Sequence, residues 1–466
     1  MGLPILLLAI PVAFLVFFLS RSSKKAAPLP PGPPAEPIIG HLRMIPPNGQ
    51  DVFFYEMGKR YGDVVYLKAL NRTLIILNTV EAATDLFDKR STNYSDRPKI
   101  PFFELVGLGN SLPFLEYGRE WRAQRKMVQN FFSKDKTKQH RPIQTREARV
   151  LVQNLLAKPE EYDKLIMRYG TAVIMDVGYG HRVVSNDDPY LKVVGDVSRA
   201  SNGSAPPGGT IHLPSWFPGT FHAEYARSVR PVFDKLKQYP VAQVEEAMVR
   251  ATPMVLFPEY QTVAQKELDT VVGTDRLPEF YDRERLPYLE CLLQEVMRYV
   301  TLQNDCKEKS LMSSRWNQAA PTDPSGAAHG VQEDDIYNGM LIPKGSIVVA
   351  NIRGMTLDER VYKDPFKFDP TRYMPAPEGR GEPWPTAAFG FGRRICPGRF
   401  LANDNVWIAM ATILSTFTIS KAIDTSGKPI IPEVSYAPVG VASSIPVYYG
   451  ASQRLSPISS PADDRE

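Results

Sequence analysis

The run FGFGRRICPGR at residues 389–399 constrains this chain more than any other segment. A lone cysteine is usually a small buried hydrophobe. Here Cys396 follows Arg393 and Arg394 and precedes Pro397 and Gly398. Residues 401–417 are strongly apolar and are expected to form a helix, which puts Cys396 just ahead of its positive end. Neighbouring cations and a helix N-terminus stabilise a thiolate, and the thiolate is the form that binds metals. Gly392 and Gly398 would let the backbone turn tightly against a flat cofactor.

With 466 residues, the chain can form one large domain or two or three ordinary ones. Its net charge of +4 comes without basic runs interleaved with aromatics, so nucleic acid is not the expected partner. That excess would suit an anionic membrane face or an acidic redox partner. The 3 cysteines, Cys291, Cys306 and Cys396, are too few for a disulfide framework and fit a reducing compartment.

Residues 3–19 are almost wholly apolar and are followed by Arg21, Lys24 and Lys25. Residues 1–20 are therefore expected to form a transmembrane anchor, with the rest of the chain on the cytosolic side. A cleaved signal peptide is the alternative, although no basic start or small-residue cleavage site marks one. Residues 21–42 form a basic and Pro-rich hinge containing PLPPGPP, a stiff extended linker.

Residues 64–67 and 73–77 read as a hairpin and 81–89 as a short helix. Further helices are expected over 118–132, 145–157, 163–179, 223–239, 258–272 and 286–299, with a buried strand over 347–351. Residues 202–218 read as a loop and 434–449 as strands around a turn. Trp121 and Arg125 share a face of the helix over 118–132, as Glu295 and Arg298 do on the helix over 286–299. Spacing alone is equally compatible with an exposed Trp–Arg stack and a surface ion pair.

The pattern Phe-x-x-Gly-x-Arg-x-Cys-x-Gly over 389–398 resembles the haem-ligand loop of the cytochrome P450 family. The hinge over 29–42, the Trp121-x-x-x-Arg125 helix, the pair Glu295 and Arg298, and PFKFDPTRY over 365–373 resemble family segments in the family's order. The resemblance covers residues 1–450, and fungal members of the O-methylsterigmatocystin oxidoreductase type look most similar. It implies a mainly α fold with small β-sheets, a catalytic domain over 43–452 and a disordered tail over 453–466. It also implies haem b, with Cys396 as axial ligand, Phe389 shielding the sulfur and Gly392 approaching the cofactor. Arg394, Trp121 and Arg125 would meet one haem propionate, and His329 the second. Glu295, Arg298 and Arg372 would be structural residues locking the cysteine loop. The implied activity is oxidation of a lipophilic small molecule with dioxygen and electrons from NADPH–cytochrome P450 reductase, at the endoplasmic reticulum membrane. Secondary metabolism or xenobiotic oxidation is the expected setting.

One family segment is missing from the sequence. The helix crossing the distal, oxygen-activating side carries Ala/Gly-Gly-x-Asp/Glu-Thr in the family, and no such run occurs here. The chain passes from VAQVEEAM (241–248) to PMVLFPE (253–259), so this helix is expected to be deleted, with an insertion over 299–314. The alternative function is therefore an impaired or inactive haem-binding splice variant. A haem-thiolate isomerase or dehydratase, which would not need the acid–alcohol pair, has no feature pointing to its substrate.

Overall fold

The computed structural model describes residues 27–46, 49–201, 221–238, 257–300, 327–421, 428 and 449–453. The N-terminal part runs α1 (Gln50–Tyr61), β1 (Val64–Ala69), β2 (Arg72–Leu77), α2 (Arg119–Phe131), α3 (Arg141–Ala157) and α4 (Tyr162–Tyr179). Next come α5 (Pro189–Ser201), α6 (Phe221–Gln238), α7 (Pro258–Val271) and α8 (Pro287–Val300). The C-terminal part holds β3 (His329–Gly330), β4 (Asp335–Tyr337), β5 (Met340–Ile342), β6 (Ile347–Ala350), α9 (Arg399–Thr416), β7 (Phe417–Lys421) and β8 (Tyr449–Gln453). The described chain is mainly helical with small sheets.

The helical core lies between α3, α4, α7, α8 and α9. On α8, Leu289, Leu292, Leu293, Val296 and Met297 are all buried, a spacing of three and four residues that makes one continuous apolar stripe. Burial of such a side chain contributes roughly 1.5–3 kcal/mol. Glu267 of α7 receives the backbone N–H groups of Tyr288 and Leu289, both at 2.9 Å, and so caps the N-terminus of α8 from a neighbouring helix. Helix α9 buries Ala402, Asn405 and Val406 as well as Leu401, Trp407, Ile408 and Leu414, so buried positions lie on all sides of its axis and mark it as central.

The main sheet has the order β1-β2-β6-β3. β1 and β2 pair antiparallel from Val64↔Leu77 to Ala69↔Arg72, which is the expected hairpin. β2 then pairs parallel with β6 from Leu74↔Ile347 to Leu77↔Ala350. β4 and β5 form a second hairpin, and β7 pairs with β8.

The Pro-rich run is fastened to the main sheet and to the β4–β5 hairpin as well as extended. Pro31 O accepts Tyr66 N–H at 2.9 Å, and Pro28 O accepts Leu341 N–H at 2.7 Å. His41 joins Pro33 O (2.8 Å) to Lys68 N (2.8 Å). At Gly32 a Cβ would stand 2.1 Å from Tyr66 O, so the close approach requires glycine there.

One expectation is refined and one is corrected. The helix expected over 81–89 is an α-turn, Val80–Ala83, continuing into a π-helical turn, Thr84–Lys89. Gln453, assigned to a disordered tail, is the last residue of β8, and its partner is Phe417. No helix among the described residues is long and apolar enough to cross a membrane. The anchor expected over 1–20, the loop over 202–218, the distal-helix junction over 241–256, the insertion over 301–314 and the strands over 434–448 lie outside the described residues.

Candidate functional site

The cysteine loop is built from two short 3₁₀ turns, Ala387–Phe389 and Gly392–Arg394, and is closed by a 2.9 Å hydrogen bond from Cys396 N to Phe389 O. α9 begins three residues later at Arg399, whose Nη1 donates to Cys396 O at 3.1 Å. Cys396 therefore stands just before the positive end of a buried helix, where a thiolate is favoured. Phe389 is half-buried and packs on the helical core. Gly392 has φ 59°, and a Cβ there would lie 1.9 Å from Phe87 O. The need for glycine at 392 thus comes from the backbone of the π-helical turn. At Gly398 a Cβ would stand 3.9 Å from Cys396 Sγ, an ordinary van der Waals contact.

Helix α2 brings Trp121 and Arg125 to this loop, and both are buried. Arg125 Nη2 donates to Ile395 O at 2.5 Å. Arg394 lies over the Trp121 ring at 4.3 Å and donates to Ser95 O and Leu115 O, both at 2.8 Å. The expected trio Trp121, Arg125 and Arg394 is therefore one cluster. His329 reaches it from β3: Nδ1 lies 2.7 Å from Tyr94 O, and the ring is buried.

A further cation was not anticipated from sequence. Arg97 donates through Nε to Pro113 O at 3.0 Å and through Nη1 to Ala327 O at 2.8 Å, next to His329. The only signal was Asp96-Arg97-Pro98, which reads as the end of a helical unit.

The cluster is electrostatically loaded. Burial lowers the pKa of Arg97 to about 9, with Arg394 adding repulsion and Asp96 opposing it. Arg394 falls to about 10 through burial, with Asp96 pulling it back and Arg125 repelling it. Burial also lowers Arg125, and a Cys396 thiolate offsets part of that. His329 is pushed well down by burial, then by Arg97 and Arg394, against the Tyr94 carbonyl. Among the described residues, Asp96 is the carboxylate that relieves both Arg97 and Arg394. Trp121 Nε1 and Arg125 Nε are buried donors without hydrogen-bond partners among the described residues. Crowded cations with unspent donors beside a thiolate fit the carboxylates and iron of a haem.

Glu295, Arg298 and Arg372 form a separate, fully buried network. Arg298 grips Glu295 bidentately at 2.8 and 2.7 Å and donates to Thr356 O and Pro365 O. Arg372 lies 3.2 Å from Glu295 and binds Lys367 O at 2.8 Å and Glu382 at 2.6 Å. Tyr373 OH and Asp369 N also donate to Glu295, both at 2.9 Å. The network pins the segment leading into the cysteine loop onto α8. Glu382 and Asp369 complete it and were not anticipated. A groove of about 790 Å³ beside α3 includes none of the expected site residues. Its Arg146 and Arg149 are already paired with Asp176 and Glu279, so it adds nothing to this chemistry.

A family model described as Cytochrome P450 matches residues 30–251, 252–305 and 319–441. The chain belongs to the cytochrome P450 family. A cytochrome P450 monooxygenase of Armillaria gallica is 31% identical over 496 aligned positions, covering 93% of each chain. One from Coprinopsis cinerea is 33% identical, over 89% of this chain and 87% of its own. Cytochrome P450 monooxygenase claR of Ampulloclitocybe clavipes is 33% identical, over 87% of this chain and 82% of its own. By resemblance the chain is an oxidoreductase, and its family implies a haem iron held by a cysteine thiolate.

Proposed function

We propose that the chain is a haem-thiolate monooxygenase that oxidises a lipophilic small molecule, in secondary metabolism or xenobiotic oxidation. The observation that carries this reading is the convergence of Arg97, Trp121, Arg125, Arg394 and His329 on the Cys396 loop. In this reading Cys396 binds the iron of haem b, and Phe389 shields its sulfur. Arg394, Arg97, Trp121 and Arg125 receive the propionates, and His329 supports the second of them. When bound, the haem supplies activation of dioxygen. Glu295, Arg298 and Arg372 hold the approach to the loop and take no part in the chemistry.

A lipophilic substrate is supported by the apolar cluster of Phe102, Phe103 and Val106 with Val197 of α5 and Phe233 of α6. Arg119, Arg122, Lys126 and Arg393 are exposed near the loop and suit an acidic electron donor, assigned here to NADPH–cytochrome P450 reductase. The apolar run over 3–19 supports anchoring in the endoplasmic reticulum membrane, with the catalytic domain cytosolic.

A second reading is favoured by one observation. The family match breaks between residues 251 and 252, neighbours in this chain, and leaves 306–318 unmatched. Together with the missing acid–alcohol pair, this supports an impaired variant without the distal helix. Such a site would lose one wall and admit water, weakening every electrostatic interaction inside it.

The deciding experiment is the reduced carbon-monoxide difference spectrum of the expressed full chain, with NADPH consumption in the presence of reductase. A thiolate-type spectrum with turnover supports the active enzyme. Weak haem uptake with background turnover supports the impaired variant. Full haem loading without any thiolate signature would overturn the assignment of Cys396.

A further inference from the structure

π-helical turns carry one extra residue and are frequent at functional sites. The turn Thr84–Lys89 directs Phe87 inward, where it is 1% exposed. Phe87 meets the cysteine loop through its backbone, since a Cβ at Gly392 would stand 1.9 Å from its carbonyl oxygen and 2.7 Å from its carbonyl carbon. Its ring meets His329, with centroids 4.0 Å apart and planes at 24°. The same ring packs on Phe391 at 6.2 Å and edge-on to Tyr94 at 6.5 Å. Tyr94 in turn holds the other side of His329 through its carbonyl.

The turn is also anchored on its outer side. Tyr337 OH donates to Asp85 at 3.0 Å, Arg90 Nη1 reaches both oxygens of Asp335 at 2.9 Å, and Tyr94 OH donates to Asp335 at 2.9 Å. Hairpin β4–β5 thus holds the segment from which Phe87 projects. Removing the extra residue would rotate the downstream residues of the turn by about 100°, and Phe87 could no longer serve both neighbours.

We propose that Phe87 is a positioning residue that sets the Cys396 loop and His329 in register with each other, by its carbonyl on one side and its ring on the other. The functional meaning rests on the proposed haem roles of Cys396 and His329. The coupling itself is a property of the chain and can be tested without haem.

The test is amide hydrogen exchange on the full chain, comparing wild type with Phe87→Leu and Phe87→Tyr. Leucine keeps an apolar side chain and removes the stack, whereas tyrosine keeps the ring. In Phe87→Leu, exchange over 389–398 and 329–331 should rise together, about tenfold, with α3 and α4 unchanged, and Phe87→Tyr should stay within about threefold of wild type. A rise in one segment alone, a rise in neither, or equal behaviour of the two variants would overturn the proposal. Should Phe87→Leu lose protection throughout, Tyr337→Phe decides. That variant removes only the bond to Asp85, and a smaller paired rise is expected, its absence counting against the proposal. In the haem-loaded chain, Phe87→Leu should lower the share of thiolate-type carbon-monoxide complex, and Phe87→Tyr should retain it. A wild type without that signature speaks against the haem assignment, while the exchange pattern still decides the role of Phe87.

Discussion

His329 is neutral in the folded chain because a second proton would be buried near Arg97 and Arg394. A free imidazole titrates near about 6.5. Its folded pKa is depressed, so below that pH the unfolded chain binds a proton that the folded chain refuses. This contribution to stability is complete above pH about 6.5 and is lost as pH falls. Between pH 6 and 5 the wild type should lose about 1 kcal/mol more than His329→Gln. Urea denaturation at fixed pH measures the difference, and equal slopes would show that His329 accepts a proton in the fold. At this scale the sequence was uneven. Cys396, Arg394, Trp121 and Arg125 stand at spacings that their chemistry fixes, so they were readable. Arg97 and Phe87 were not, because each gains its role only when segments far apart in the chain meet at the loop.

At the scale of elements, α8 shows what periodicity can and cannot tell. Its apolar stripe predicts the helix within a residue or two. The spacing of Glu295 and Arg298 fits an exposed pair worth little as well as it fits a buried network. Arg372, Tyr373 and the carbonyls of Thr356 and Pro365 decide for the latter. Glu295→Ala would leave two guanidiniums buried without their shared carboxylate, and a cost of about 3–5 kcal/mol is expected. The midpoint of urea unfolding measures it, and a loss below about 1 kcal/mol would place the pair among ordinary surface bridges. Helix α1 gave little signal because it is rich in aromatics and carries Gly58 in its interior. Packing holds it: a Cβ at Gly58 would stand 2.6 Å from the Asn78 side chain. The π-helical turn was equally hidden, since its extra residue is stabilised by Gly392 and His329.

At the scale of the molecule, the Pro-rich run follows the domain surface and is bonded to it at Pro28, Pro31 and Pro33. Gly32→Ala would force that run off β1, because its Cβ would overlap Tyr66 O. Limited proteolysis should then cut within residues 27–42 several-fold faster, with the melting temperature nearly unchanged. Cleavage at the wild-type rate would show that the run is held elsewhere. The mainly helical fold class and the meeting of Trp121, Arg125 and Arg394 at the Cys396 loop were legible from motif order. The sheet order was not, because β6 and β3 are short, β6 taking its register from β2 and β3 taking its own from β6.

The parallel pairing of β2 with β6 also bears on how the chain is made. Leu74, Ile75, Ile76 and Leu77 leave the ribosome long before Ile347 exists to cover their open edge. At about 5–20 residues per second the wait is on the order of tens of seconds. Through that interval the nascent chain carries an apolar strand edge of the kind that seeds intermolecular pairing. Its yield in the cell should therefore depend on holdase chaperones and on translation speed more than on the stability of the finished molecule.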